Sequence, residues 1–464
     1  MSAHVTRPAD NVLDADNVLD YMDQSFFLDF TAQHHGPPLI QFLWVYEHEV
    51  DLEALRRFQA NLAHGLLGRC VERSPLGFGR DRWVSWTPPA DLEVAGRPRP
   101  RSEVPAWTDE QAARPIDYEN GPPWRMAVLP LTEGGAAVTL AVAHGIADGM
   151  AMNLAVADAV NGAGRDLGYP RPHSRSRTAA LRQDARQLLR DLPGILAALV
   201  RTPLAAGKVS GIVRRRAVHG EVVRQGRPGR SVATAQVRLP SVTAFVDGAH
   251  WDERAAALKG TSNPLLLGVA ARLCGTLGWL DTDGMACLTI PVNERVPFDT
   301  RGNALTGVSL DVDPAVDVTD LTEIRAAVKA ALGTLGDQRT AVTAPLPLTP
   351  FVPKFAARGF EKTLFRSANL TVSHMGELDP AVNRPDGTDA EWFSARHARW
   401  AGGIDAALLA RAGGMFFPIA SGRLGGRIYI SICYSDAHGT TTAEDLRTAL
   451  RSAFAEFGVS ATIV

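Results

Sequence analysis

The stretch AVAHGIADGM, residues 141–150, decides how this chain is read. An apolar run ends in His144, and Asp148-Gly149 follow just before a second apolar run. Along AAVTLAVAH, Val138, Leu140, Val142 and His144 fall on one face of a period-2 strand. Gly145, Asp148 and Gly149 then make a tight turn feeding the helix MAMNLAVADAVNG. A lone histidine is usually a satisfied core residue. One delivered at the end of a strand, where the chain turns into a helix, is better read as a working imidazole.

Outward from the turn, PPLIQFLWVYEHEV and WRMAVLPL read as strands. DLEALRRFQANLAHGLLGRC carries Leu52, Leu55, Phe58, Leu62 and Leu66 at helical spacing. In the second half VATAQVRL, MACLTIPV and GRIYISICYS read as strands, and NPLLLGVAARLCGTLGWL and TTAEDLRTALRSAFAEF as helices. Between them lies the turn-rich NERVPFDTRGNALTG. Strands and helices mix without strict alternation, which predicts two α/β layers rather than a single Rossmann sheet.

At 464 residues the chain exceeds one ordinary core, so it is expected to divide. The expected division is a flexible tail (1–20), an N-terminal subdomain with the histidine turn (21–170), a basic crossover (171–230) and a C-terminal subdomain (231–464). The tail holds ADNVLD twice in tandem, too few copies for a repeat architecture, and reads as flexible or lightly docked. The crossover has fourteen basic residues against three acidic ones, 14 − 3 = +11. Pro193 and Pro203 are expected to interrupt any long amphipathic helix there. That favours a linker over a surface for an anionic membrane or polyanionic ligand.

The overall net charge of −2 gives no case for nucleic acid. Cys70, Cys274, Cys287 and Cys433 form no Cys-x-x-Cys pair, so neither zinc nor a disulfide framework is indicated and a reducing cytoplasm fits. MSAHVTRPADNVLD shows no signal-peptide pattern, and no run of about 18 apolar residues suggests a membrane span. NGAGRDLG has the wrong glycine spacing for a dinucleotide fingerprint, and P-loop, Gly-x-Ser-x-Gly and His-Glu-x-x-His patterns are absent. His34 and His35 read as surface residues, and no metal site is expected.

His144-Gly-Ile-Ala-Asp148-Gly149 resembles the His-x-x-x-Asp-Gly motif of the thioester-dependent acyltransferase superfamily. Its members include chloramphenicol acetyltransferase, plant alcohol acyltransferases, nonribosomal peptide condensation domains, polyketide-associated acyltransferases and bacterial wax ester synthases. YMDQSFFLDF resembles the start of the wax-synthase branch, and GPPWRMAVL is similar to the segment before the motif strand. PVNERVPFDTRGN resembles the later arginine-containing strand with its Gly-Asn, and NLTVSHMGEL sits where the family has a Ser-Asn-x-Gly strand. The resemblance runs from about residue 20 to the end, with two departures: Ala143 replaces a second histidine common in the family, and His374 replaces an asparagine.

The resemblance implies two chloramphenicol-acetyltransferase-like α/β subdomains in a V-shaped pseudo-dimer, with a central tunnel and His144 near its middle. It implies acyl transfer from a CoA or carrier-protein thioester to a hydroxyl acceptor, with no bound cofactor and no metal. A neutral imidazole near pH 7 is the natural base for deprotonating that hydroxyl. Asp148 is implied to turn from the substrate and pair with Arg295, although a plain surface ion pair accounts equally well for Arg295. Gly149 would permit close packing at the helix start. Gly302-Asn303 would shape the facing wall, with a simple turn as the alternative for Asn303. Asn303, Ser373 and His374 are the tunnel candidates. The rival readings are a carrier-protein-dependent enzyme forming an ester or amide, its acidic carrier docking on 171–230, and a binding protein that kept the fold without catalysis.

Overall fold

The computed structural model describes residues 16–32, 38–88, 91–222, 236–281, 283–315, 317–352, 370–399, 403–405, 415–436 and 441–464. The first half supplies β1 (Pro38–Tyr46), β2 (Arg69–Glu72), β3 (Arg82–Ser85), β4 (Glu93–Val94), β5 (Trp124–Pro130) and β6 (Ala136–Ala143). The second supplies β7 (Gln236–Arg238), β8 (Ser241–Asp247), β9 (Ala286–Asn293), β10 (Leu305–Val312), β11 (Leu370–Glu377) and β12 (Trp392–Arg399). It continues with β13 (Gly403–Asp405), β14 (Met415–Leu424), β15 (Arg427–Cys433), β16 (Ser435–Asp436) and β17 (Thr462–Ile463). Two main sheets result, one ordered β12-β1-β6-β5-β4 and one ordered β10-β9-β11-β14-β15-β8-β17.

The sheets differ as their sequences do. AAVTLAVA in β6 is buried at every position, as a central strand covered on both faces must be. In β8, β9 and β10 buried and half-buried residues alternate over most of the strand, so one face packs and the other stays partly open. Val242, Ala244, Leu288, Ile290, Val308 and Leu310 turn toward the second core. The opposite face carries hydroxyls, with Thr289 and Ser309 3.1 Å apart and Thr243 3.0 Å from Ser431. β12 lies in the second half of the chain, yet it pairs antiparallel with β1 from Pro38↔Arg399 to Val45↔Trp392. Its Phe393 and Ala395 join the first core, and so does Tyr429 of β15.

The helices are α1 (Tyr21–Ala32), α2 (Leu52–Leu62), α3 (Val104–Ala112), α4 (Gly149–Val160), α5 (Arg177–Val222), α6 (Gly248–Ala257), α7 (Ser262–Thr276), α8 (Thr322–Gly333), α9 (Leu335–Thr343) and α10 (Ala443–Glu456). Their starts are local: Asp51 caps α2, Asp148 caps α4, and Thr442 with Asp445 forms a capping box on α10. The helix read through Leu66 instead stops at Leu62, because the chain turns at Gly65 with φ +110°.

Two expectations need correction. Residues 16–20 do not form a flexible tail: Leu19 is fully buried, its N–H donates to the Asp81 carbonyl, and Asn17 O accepts from Trp83 N–H. Residues 1–15, like His34 and His35, lie outside the described residues. The prolines of the basic segment do not interrupt it either. α5 is one helix of 46 residues with Pro193 and Pro203 inside, about 69 Å long at 1.5 Å per residue. Both prolines, and Leu189 and Leu199 four residues before them, face solvent. Water can therefore take up the carbonyls that proline leaves unbonded, which lowers the penalty of an internal proline. Among the described residues no helix is long and apolar enough to cross a membrane.

Candidate active site

His144 follows β6 directly, and its backbone N–H donates to the Pro38 carbonyl of the neighbouring strand. The imidazole is half-buried, stacked on Phe26 of α1 at 5.2 Å and 12°, with His397 of β12 stacked at 6.0 Å and 20°. Its Nδ1 lies 3.0 Å from Asn303 Oδ1.

The orientation of the Asn303 amide follows from its partners. Its Nδ2 faces three acceptors: Asp23 Oδ1 at 3.2 Å, the His144 carbonyl at 3.1 Å and the Gly145 carbonyl at 3.3 Å. Oδ1 therefore turns to His144 as an acceptor, Nδ1 carries the proton, and the lone pair sits on Nε2. Burial pushes the His144 pKa below its ordinary value, opposed by the bond to its own backbone, the Asp148 charge and Asn303. The imidazole is thus neutral at pH 7, with one nitrogen committed and the other able to take a proton.

Asp23, fully buried in α1, holds Asn303 in place. Its carboxylate accepts from the Gly302 N–H at 2.8 Å and the Asn303 N–H at 2.7 Å, besides the Asn303 side chain. Burial pushes its pKa up to about 7, against the pull of Arg69 and of those N–H groups. Arg69, also fully buried, donates to the Thr300 carbonyl at 2.5 Å and the Ile146 carbonyl at 2.8 Å, and its guanidinium lies 3.9 Å over the Trp83 ring. The histidine turn and the 300–303 loop are thereby tied to one buried core of polar groups.

Asp148 and Arg295 meet on the far side of the turn. Asp148 Oδ1 caps α4 through the Ala151 N–H at 2.7 Å. Its Oδ2 accepts from Arg295 at 3.0 Å and from the Ala304 N–H at 2.8 Å. The two side chains are only 3% and 5% exposed, so this is a buried pair and not a surface one. Arg295 also donates to the carbonyls of Arg301 at 2.8 Å and Gly302 at 3.1 Å, bracing the loop that carries Asn303. At Gly302 a β-carbon would sit 2.8 Å from the Ile146 carbonyl oxygen and 2.9 Å from that of Gly145, so nothing larger fits. At Gly149 it would meet the Met375 sulfur at 2.9 Å.

Ser373 and His374 lie elsewhere. His374 Nε2 is 3.2 Å from Ser262 Oγ at the start of α7, while its buried Nδ1 has no partner among the described residues. Burial, and then the charge of Arg423, push its pKa down. Ser373 pairs in register with Ala420 of β14 and, by strand alternation, shares the half-open hydroxyl face with Thr371. Among the described residues no hydrogen bond links either to His144. Asp23, Arg69, Phe26 and His397 were missed by the sequence reading. Asp23 left a faint trace there, as one of two carboxylates in the aromatic-rich YMDQSFFLDF. Among the described residues no group of three or more His, Cys, Asp or Glu is arranged to hold a metal ion.

No protein-family sequence model matches the chain, and no curated protein matches it by sequence. Solved structures do share its fold. It is similar to the first condensation domain of the calcium-dependent antibiotic synthetase, with a TM-score of 0.61 at 16% identity over 96% of both chains. It is similar to the wax ester synthase/diacylglycerol acyltransferase from Marinobacter aquaeolei VT8, with a TM-score of 0.53 at 13% identity over 95% of this chain and 98% of that one. Polyketide synthase associated protein 5 from Mycobacterium tuberculosis gives 0.51 at 15% identity, over 96% and 99%. The architecture is therefore the α/β fold of that condensation domain, that wax ester synthase/diacylglycerol acyltransferase and polyketide synthase associated protein 5.

Proposed function

We propose that this protein transfers an acyl group from a thioester, of CoA or of a carrier protein, to a hydroxyl acceptor, with His144 as general base. The observation that carries the reading is the Asp23–Asn303–His144 chain, which leaves a neutral imidazole with Nε2 unprotonated. In the proposed step the acceptor oxygen attacks the thioester carbonyl carbon while Nε2 takes the hydroxyl proton. The tetrahedral adduct then collapses, the C–S bond breaks, and the departing thiolate takes the proton back from the imidazolium. No acyl-enzyme forms, and the step calls on no bound cofactor. Much of the advantage comes from holding the two substrates in line, which makes the attack effectively intramolecular.

The fold likeness to a condensation domain favours one second reading, a carrier-protein thioester as donor with an ester or amide as product. In both readings His144 takes the acceptor's proton, from a hydroxyl for an ester or from an amine for an amide. The test is free-thiol release from a panel of acyl-CoAs and acyl-carrier thioesters, with and without a pool of alcohols and amines. Release that requires the acceptor and drops about a hundredfold or more in His144→Ala supports the transferase; activity with acyl-CoA favours the first reading, and activity confined to carrier thioesters favours the second. Silence of both proteins across all donors would leave a binding protein with this fold.

A further inference from the structure

α5 exposes an apolar stripe of a kind that a folded surface normally hides. Leu189, Leu192, Leu196, Leu199 and Val200 recur at helical spacing along one face and are 44–69% exposed. Among the described residues these five are a large share of the exposed large hydrophobics, gathered in twelve consecutive positions. An exposed aromatic pair stands on an element packed against α5. The turn Leu346–Phe351 packs against α5, and its exposed Phe351 stacks on exposed Phe78 at 6.0 Å and 7°.

The charges around the stripe are of one sign. Arg177, Arg182, Arg186, Arg190 and Arg201 are exposed, and among the described residues none is paired with a carboxylate. Asp184 and Asp191, the acids of this stretch, turn inward. Asp184 accepts from Arg82 at 2.9 Å and Arg175 at 3.1 Å, and Asp191 from Arg80 at 2.9 Å. The outward face therefore keeps its positive charge while its acids are spent in the interior. On a helical wheel at 100° per residue, Arg182, Arg186 and Arg190 follow one edge of the leucine stripe in order.

We infer that the outward face of α5 is a docking surface for an anionic lipid bilayer, on which the helix lies in the membrane plane. Aliphatic side chains along one face with arginines at the edge are the pattern of an interfacial helix, the leucines entering the acyl boundary and the guanidiniums meeting lipid phosphates. A second copy of the chain fits poorly, because a two-fold contact would set five unpaired arginines against five. The inference is independent of the proposed transfer reaction and is read without turnover.

The test uses the full chain in vesicle flotation, with vesicles of 1:1 phosphatidylglycerol and phosphatidylcholine beside pure phosphatidylcholine. Wild type is expected to float with the anionic vesicles only, and less so as salt rises. Leu189→Ser with Leu196→Ser is expected to lower partitioning by about tenfold or more. Arg186→Ala with Arg190→Ala should lower it by roughly thirtyfold. All four positions are exposed, so an unchanged melting temperature shows that either double variant still folds. Wild type left behind by anionic vesicles, or binding indifferent to both double variants, overturns the inference. A dimer in sedimentation, or retention by an acidic carrier protein with no vesicle binding, gives the surface to a protein and overturns it too.

Discussion

His144 and His374 are both half-buried, one just past the end of β6 and the other inside β11, and burial depresses the pKa of both. What differs is the second nitrogen. Nδ1 of His144 has a fixed acceptor, Asn303, itself oriented by Asp23 and two backbone carbonyls, and its ring is stacked between Phe26 and His397. Nδ1 of His374 has no partner among the described residues, and its other nitrogen is engaged by Ser262. A depressed pKa makes a neutral imidazole in both places. Only the first has a defined tautomer and orientation, which a general base needs.

The sharpest way to break this contrast is to remove each ring. His144→Ala should lower thiol release by roughly 10²–10⁴-fold with little change in melting, because general-base catalysis contributes on that scale. Should it retain near wild-type turnover, His144 is not the base. Arg295→Ala leaves Asp148 buried and unpaired, so chemical denaturation should show a loss of about 3–5 kcal/mol. A loss below about 1 kcal/mol would place the pair in solvent instead. Gly302→Ala forces a methyl against the carbonyls of Gly145 and Ile146 and should destabilise by about 1–3 kcal/mol, with turnover falling as His144 shifts.

The pH dependences sharpen the contrast further. Because the His144 pKa is pushed below its ordinary value of 6.5, the acid limb of kcat/KM should lie below pH 6.5. Asp23 works in the opposite sense on stability. Its pKa rises from 3.8 in the unfolded chain to about 7 in the fold, so the folded state binds the proton more tightly. That contribution is fully present below pH 3.8 and is lost as pH rises through about 7. Urea midpoints should fall across this window in wild type and lose that slope in Asp23→Asn. The smallest effect belongs to His374→Gln, expected to change turnover by no more than about threefold, since its ring touches Ser262 and not the His144 network. A hundredfold loss there would place the second histidine in the reaction.

Local features were legible in the sequence. The period-2 run ending at His144 and the turn at Asp148-Gly149 into α4 depend on residues a few positions apart. The shortfalls have specific causes. Leu66 fits the helical spacing, yet a backbone turn ends the helix first. Pro193 and Pro203 look like breaks, yet the carbonyls they orphan face water. His374 sits beside Ser373 in sequence, yet strand alternation sends the two to opposite faces.

By itself the sequence determined the turn that presents His144 and the two-layer α/β character, because strand and helix periods and caps are set within a few residues. Only the tertiary structure decided that Asp23 reaches Asn303 across 280 residues and that Asn303 reaches His144 across 159. It also decided that β12 crosses to the first sheet and that α5 turns Asp184 and Asp191 inward and Leu189, Leu192, Leu196 and Leu199 out. Such partners are chosen by packing and burial summed over the whole chain, and no short window of residues carries that sum.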